Sequence, residues 1–95
     1  MATATLIAEH VEGWAGDAYH YRLDPPLEGH EYVMVSEIDY PFNHYKETEI
    51  VPVDENGGPV AMVKLPGSLA AQANRAVALL AAGGYSIVIP EPPSE

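Results

Sequence analysis

The spacing of apolar side chains changes at Leu65 from every second residue to every third or fourth, and that switch restricts the chain to a sheet laid down first and a helix added late. Residues 3–11 are rich in β-branched and aliphatic side chains and are followed by Gly13 and Gly16 around Trp14, which predicts a strand and a loop. In residues 19–23, Tyr19, Tyr21 and Leu23 share one face and His20 and Arg22 the other. Asp24-Pro25-Pro26 is expected to stop that strand, because proline cannot donate to a ladder. Residues 31–40 read as a central strand, with Tyr32, Met34, Ser36 and Ile38 on one face and Val33, Val35, Glu37 and Asp39 on the other. Residues 47–53 and 59–65 form the arms of a predicted hairpin around Asp54-Glu55-Asn56-Gly57-Gly58, whose Asn-Gly step accepts positive φ.

Beyond Leu65, Pro66-Gly67-Ser68 opens a predicted helix running to about Ala82, with Ser68 as its N-cap and Gly83 as its left-handed stop. At ~100° per residue, Leu69, Ala73, Ala76, Val77 and Leu80 form the stripe expected to be buried. Ala70, Ala71, Asn74 and Ala78 on the other side offer a close approach to a second copy, although alanine is also ordinary helix filler. Residues 85–89 read as a last strand, which could reach a parallel position beside an earlier strand by a right-handed crossover. The expected fold class is α+β: an antiparallel sheet of about five to six strands, one helix in the C-terminal half packed on one face, and a last strand. Residues 1–89 make a single domain and residues 90–95 a Pro-rich acidic tail.

Charge is as unevenly spread as period. The chain of 95 residues carries a formal net charge of −10, and all of it arises in residues 1–57, where twelve carboxylates face Arg22 and Lys46. From Gly58 onward Lys64 and Arg75 balance Glu91 and Glu95. Such a field selects basic surfaces and argues against nucleic acid or anionic membrane as a direct ligand. Residues 1–11 lack a basic signal region, and the weakly polar stretch 76–89 is too short to span a bilayer, so a soluble cytoplasmic protein is expected.

No catalytic motif emerges. The chain has no cysteine, which excludes disulfides, thiolate metal sites and a Cys nucleophile. His10, His20, His30 and His44 stand at no ligand spacing and read as exposed imidazoles, although His10 and His20 lie on strands that could be neighbours. Asp54-Glu55-Asn56-Gly57 resembles the start of a calcium loop, but Pro59-Val60-Ala61-Met62 follows where later ligands are needed, so a hairpin turn explains it better. None of the serines sits in a nucleophile elbow, and a domain this small offers little depth for a carboxylate pair to gain a raised pKa. No cofactor, no metal and no enzymatic activity are expected.

The acidic residues make better sense as a surface. Residues i and i+2 of a strand point the same way about 7 Å apart, so Glu37/Asp39 and Glu47/Glu49 each place two carboxylates on one side of the sheet. Neighbouring pairs would form an array spaced like nucleic-acid phosphates; the alternative is a solvated face that serves solubility. Tyr40 and Tyr45 lie beside these carboxylates, and tyrosine brings large contact area with few rotamers.

Thr3-Ala4-Thr5-Leu6-Ile7-Ala8-Glu9-His10, Glu12-Gly13-Trp14 and the run Tyr21 through Leu27 resemble small uncharacterised proteins of actinobacteria and their bacteriophages. Leu65-Pro66-Gly67-Ser68 and Ala82-Gly83-Gly84-Tyr85 fit the same group. The resemblance implies a small phage-type accessory protein, either a host-directed inhibitor acting in the host cytoplasm or a minor virion component. Together these features predict a non-enzymatic acidic protein that binds a basic partner surface, as a nucleic-acid mimic or inhibitor, through Glu37, Asp39, Tyr40, Tyr45, Glu47 and Glu49. The alternative is a structural or assembly protein, homodimeric or part of a particle.

Overall fold

A computed structural model describes residues 1–90; the expected tail at 90–95 lies, apart from Pro90, outside the described residues. The elements are β1 (Thr3–Ala8), β2 (Asp17–Leu27), β3 (His30–Tyr40), β4 (Tyr45–Val53), β5 (Leu69–Ala70), α1 (Arg75–Gly83) and β6 (Ser86–Val88). They form an α+β domain with one mixed sheet in the order β5-β4-β3-β2-β1-β6. All neighbours are antiparallel except β1 and β6, which run parallel with Thr3 opposite Ser86 and Thr5 opposite Val88. The crossover through α1 therefore realises the parallel option open to the last strand.

The central strand is where the sequence places it. On one face Val33 and Val35 of β3 join Tyr19, Tyr21 and Leu23 of β2 and Ile50 of β4 in the main core, which Ala78 and Leu79 of α1 cover. On the other face Met34 packs with Ala18 and Val53 in a smaller cluster, against which Val11, Trp14 and Tyr32 lie. Burial of both faces explains the near-continuous apolar run in residues 32–35.

Several local expectations are corrected. β2 does not stop at Asp24 but continues through Pro25 and Pro26 to Leu27; its ladder with β3 is irregular between Arg22 and Leu27, so the prolines sit where no regular pairing is required. Residues 59–65 form no strand: one bridge, Val53 to Pro59, is followed by irregular chain bearing the exposed Val60, Met62 and Val63.

The helix starts at Arg75 and not after Ser68. Its N-cap is Asn74, whose side chain accepts a hydrogen bond from the Val77 amide at 3.2 Å, and its left-handed stop is Gly84 at φ 70°, one residue beyond the expected Gly83. Pairing with β4 overrides the helical pattern of residues 69–74. Leu69 lies opposite Thr48, and the Thr48 hydroxyl donates to the Gln72 carbonyl at 2.7 Å while accepting from the Asn74 amide at 2.8 Å. Ser68 is a tie to the sheet: its hydroxyl accepts from the Ile50 amide and donates to the Leu65 carbonyl.

The buried stripe also differs from the expected one, which leans on Leu69 and Ala73 outside the helix. Ala78 and Leu79 are fully enclosed, whereas Val77 and Leu80 are 39% and 61% exposed. Ala70, Ala71, Asn74 and Ala78 consequently form no common helix surface, since only Ala78 belongs to α1 and it is buried.

Candidate functional site

The far end of the β3–β4 hairpin gathers the exposed aromatic side chains. The two strands pair in register to their ends, with Asp39 opposite Lys46 and Tyr40 opposite Tyr45, so residues 41–44 make the connecting loop. His44 takes a positive φ of 54° there, and the Asn43 side chain accepts from the Tyr45 amide at 3.2 Å. Phe42 stands at the tip, fully exposed. Behind it the Tyr40 and Tyr45 rings lie 5.8 Å apart, and the Tyr40 hydroxyl donates to Glu47 at 2.6 Å. That bond to an anionic acceptor raises the pKa of the Tyr40 phenol, so it remains a donor well above neutral pH.

Ladder register divides the six expected contact residues. Glu37 is opposite Thr48 and Glu47 opposite Ile38, so Glu37 and Asp39 lie on the helix-bearing face while Tyr40, Tyr45, Glu47 and Glu49 lie on the other. The two acidic pairs do not combine into one array. Glu47 and Glu49 do act as a pair, holding the Lys64 ammonium at 3.6 and 3.2 Å. Their proximity raises the Lys64 pKa, Glu49 contributing most. A recess of about 190 Å³ opens beside them, lined by Tyr45, Glu47, Thr48, Lys64, Leu69 and neighbouring residues. It lies below the ~300–1,000 Å³ usual for small-molecule sites and has room for one partner side chain.

Glu37 has a structural task. Its carboxylate accepts from the Arg75 amide at 2.8 Å, at the first turn of α1, and from the Arg75 guanidinium at 3.2 Å. Arg75 also donates to the Tyr21 hydroxyl at 3.0 Å and stacks over the Tyr19 ring at 3.8 Å. The Tyr19 hydroxyl in turn donates to Asp17 at 2.7 Å, which pushes the phenol up to about 12. Asp17 meets His10 through a 2.6 Å contact, and the hydrogen bonds from Tyr19 and then His10 lower its pKa. This chain of six polar side chains pins the helix and the β1–β2 loop to the sheet. Its signals in the sequence were the alternation of Tyr19 and Tyr21 and the single cation between residues 65 and 90, but nothing local joins them across more than fifty residues.

The histidines stay apart. His10 serves Asp17, whereas His20 is buried instead of exposed, and among the described residues no group of three metal-ligating side chains converges. The 54–58 segment is a turn, as read from the sequence: the Asp54 carboxylate accepts from the Asn56 and Gly58 amides, each at 2.9 Å, and Gly57 has φ 85°. Among the described residues no helix is long and apolar enough to cross a membrane.

No protein-family model, curated protein or solved structure matches the chain. What the fold and surface define is a small α+β domain with an aromatic hairpin tip beside an acidic pair.

Proposed function

We propose that the protein is a non-enzymatic interaction module that binds a basic protein surface through the β3–β4 hairpin end. The observation that carries this is the full exposure of Phe42 at the tip, beside the Tyr40–Tyr45 pair. Such aromatic anchors supply most of the affinity at interfaces, while flanking charge steers the approach. The net charge of −10 would draw a cationic partner towards this surface. A phage-type inhibitor of a host protein would use such a surface in this way. Mimicry of nucleic acid finds less support, because register puts Glu37 and Asp39 on the opposite face from Glu47 and Glu49.

Affinity capture from a bacterial lysate at low and high salt tests the proposal. Partners of the native protein should weaken steeply with salt, since exposed charges are screened over about 8 Å at physiological ionic strength. A Phe42→Ala/Tyr45→Ala variant should bind them at least ~30-fold more weakly, as expected for the loss of aromatic hot spots worth about 2 kcal/mol or more. Partners retained equally by that variant and insensitive to salt would refute it.

A structural role as a homodimer is the second reading. It is favoured by the outward side of α1, where Ala76, Val77, Leu80 and Ala81 are exposed with no polar side chain among them. Light scattering on a size-exclusion column at tens of micromolar should show twice the chain mass if this reading holds; a monomer removes it.

A further inference from the structure

Among the described residues, His20 is the buried side chain that carries a polar atom without a hydrogen-bond partner. It lies on β2 opposite Ala8 of β1 and Met34 of β3, only 3% exposed, beside the small cluster of Ala18, Met34 and Val53. The 54–58 turn closes over it: a Cβ on Gly57 would sit 3.6 Å from its Nδ1. Nε2 is buried with no hydrogen-bond partner. In the neutral ring that nitrogen can be a bare lone pair, tolerable among apolar neighbours, whereas in the imidazolium it becomes a charged N–H with nothing to accept it.

We propose that His20 is a proton-operated latch, whose neutral form seats the 54–58 turn on the sheet and whose protonated form releases it. The step is an uptake of one proton from solvent at Nε2, and the charged ring is satisfied only when water reaches it. The groups facing it are few. Tyr32 of β3 lies with its ring 5.9 Å away, and Asp54 belongs to the turn itself. A hydrogen bond to the Asp54 backbone and the attraction of its carboxylate favour the charged ring, but burial is the larger influence and holds the His20 pKa below the ordinary 6.5.

Because the folded group is the weaker base, the latch is complete above pH 6.5 and loosens as pH falls below that value, the closed-to-open ratio dropping about tenfold per pH unit until the folded-state value is passed. The turn leads directly into residues 59–65, where Lys64 bridges Glu47 and Glu49, so release would also loosen the rim of the hairpin surface.

Trp14, the only tryptophan, packs against the same cluster and reports on it. In the full chain its emission should shift with a midpoint below 6.5 while the far-ultraviolet signal of the sheet persists, and His20→Phe should abolish the shift. Asp54→Asn, which removes the competing attraction, should move the midpoint lower still. A shift that survives in His20→Phe, or a flat titration of the native protein, would overturn the proposal. Should the variants fail to fold, NMR of the native protein decides: the Asn56 and Gly57 amides must titrate together with the His20 ring, and a ring that titrates without them would refute the latch.

Discussion

Gly67→Ala is expected to lower the stability of the domain by about 3 kcal/mol and its thermal midpoint by about 15 °C, which is a large part of the ~5–10 kcal/mol available to a chain of this size. Gly67 has φ 100°, a conformation costly to any side chain. A Cβ there would also lie 2.5 Å from the Ala82 Cβ and 2.6 Å from the Ala78 carbonyl oxygen, neither of which can swing aside as a long side chain would. The helix must lift or the 65–68 segment must move, and Ser68, bonded to the Ile50 amide, resists the second. Gly13→Ala is the control, because φ there is 89° but open space surrounds the site, so only the backbone penalty of about 1–2 kcal/mol remains. A Gly67→Ala protein that melts no lower than the Gly13→Ala protein would show that α1 is not seated against the 65–68 segment.

Leu79→Ala should cost about 3 kcal/mol in urea unfolding with little change in the slope, whereas Leu80→Ala should stay within about 0.5 kcal/mol. Leu79 is fully enclosed among Val33, Val35, Ile50 and their neighbours, while Leu80 is 61% exposed. Equal losses at the two positions would mean that the helix is rotated about its axis relative to the sheet. The contrast is informative because periodicity alone points to Leu80 as the buried residue. That reading anchors the stripe on Leu69 and Ala73, which lie outside the helix, and so selects the wrong face of it. Thr48, remote in sequence, bonds the Gln72 carbonyl and the Asn74 amide and so holds residues 72–74 outside the helix, whose first turn begins at Arg75.

The same contrast separates what could be read from the chain and what could not. Alternation within residues 31–40 marks a strand buried on both faces, and β3 is that strand. Asn56-Gly57 marks a turn, and Gly57 takes the positive φ. Tyr40 and Tyr45, close in the sequence, lie opposite each other on one face of the sheet. The relation of Glu37 to Glu47, however, depends on which residues of β3 and β4 face each other, and the loop at 41–44 sets that by pairing Tyr40 with Tyr45. A slip of one residue there would have placed all four carboxylates on one face. Arg75 escaped notice for a similar reason: its partners Tyr19, Tyr21 and Glu37 are supplied by strands that become its neighbours only in the finished fold.

The parallel contact between β1 and β6 joins residues 3–5 to residues 86–88, almost the full length of the described chain. The meander from β2 to β4 can close through short turns, but this last pairing must wait for the helix to cross and bring two distant segments together. Loop closure over that span is entropically costly, and topologies dominated by such contacts fold in milliseconds to seconds instead of microseconds. Until β6 arrives, the outer edge of β1 stands open to any passing strand. In the finished fold β6 covers that edge over residues 3–5, so the short last strand also protects the sheet from mispairing.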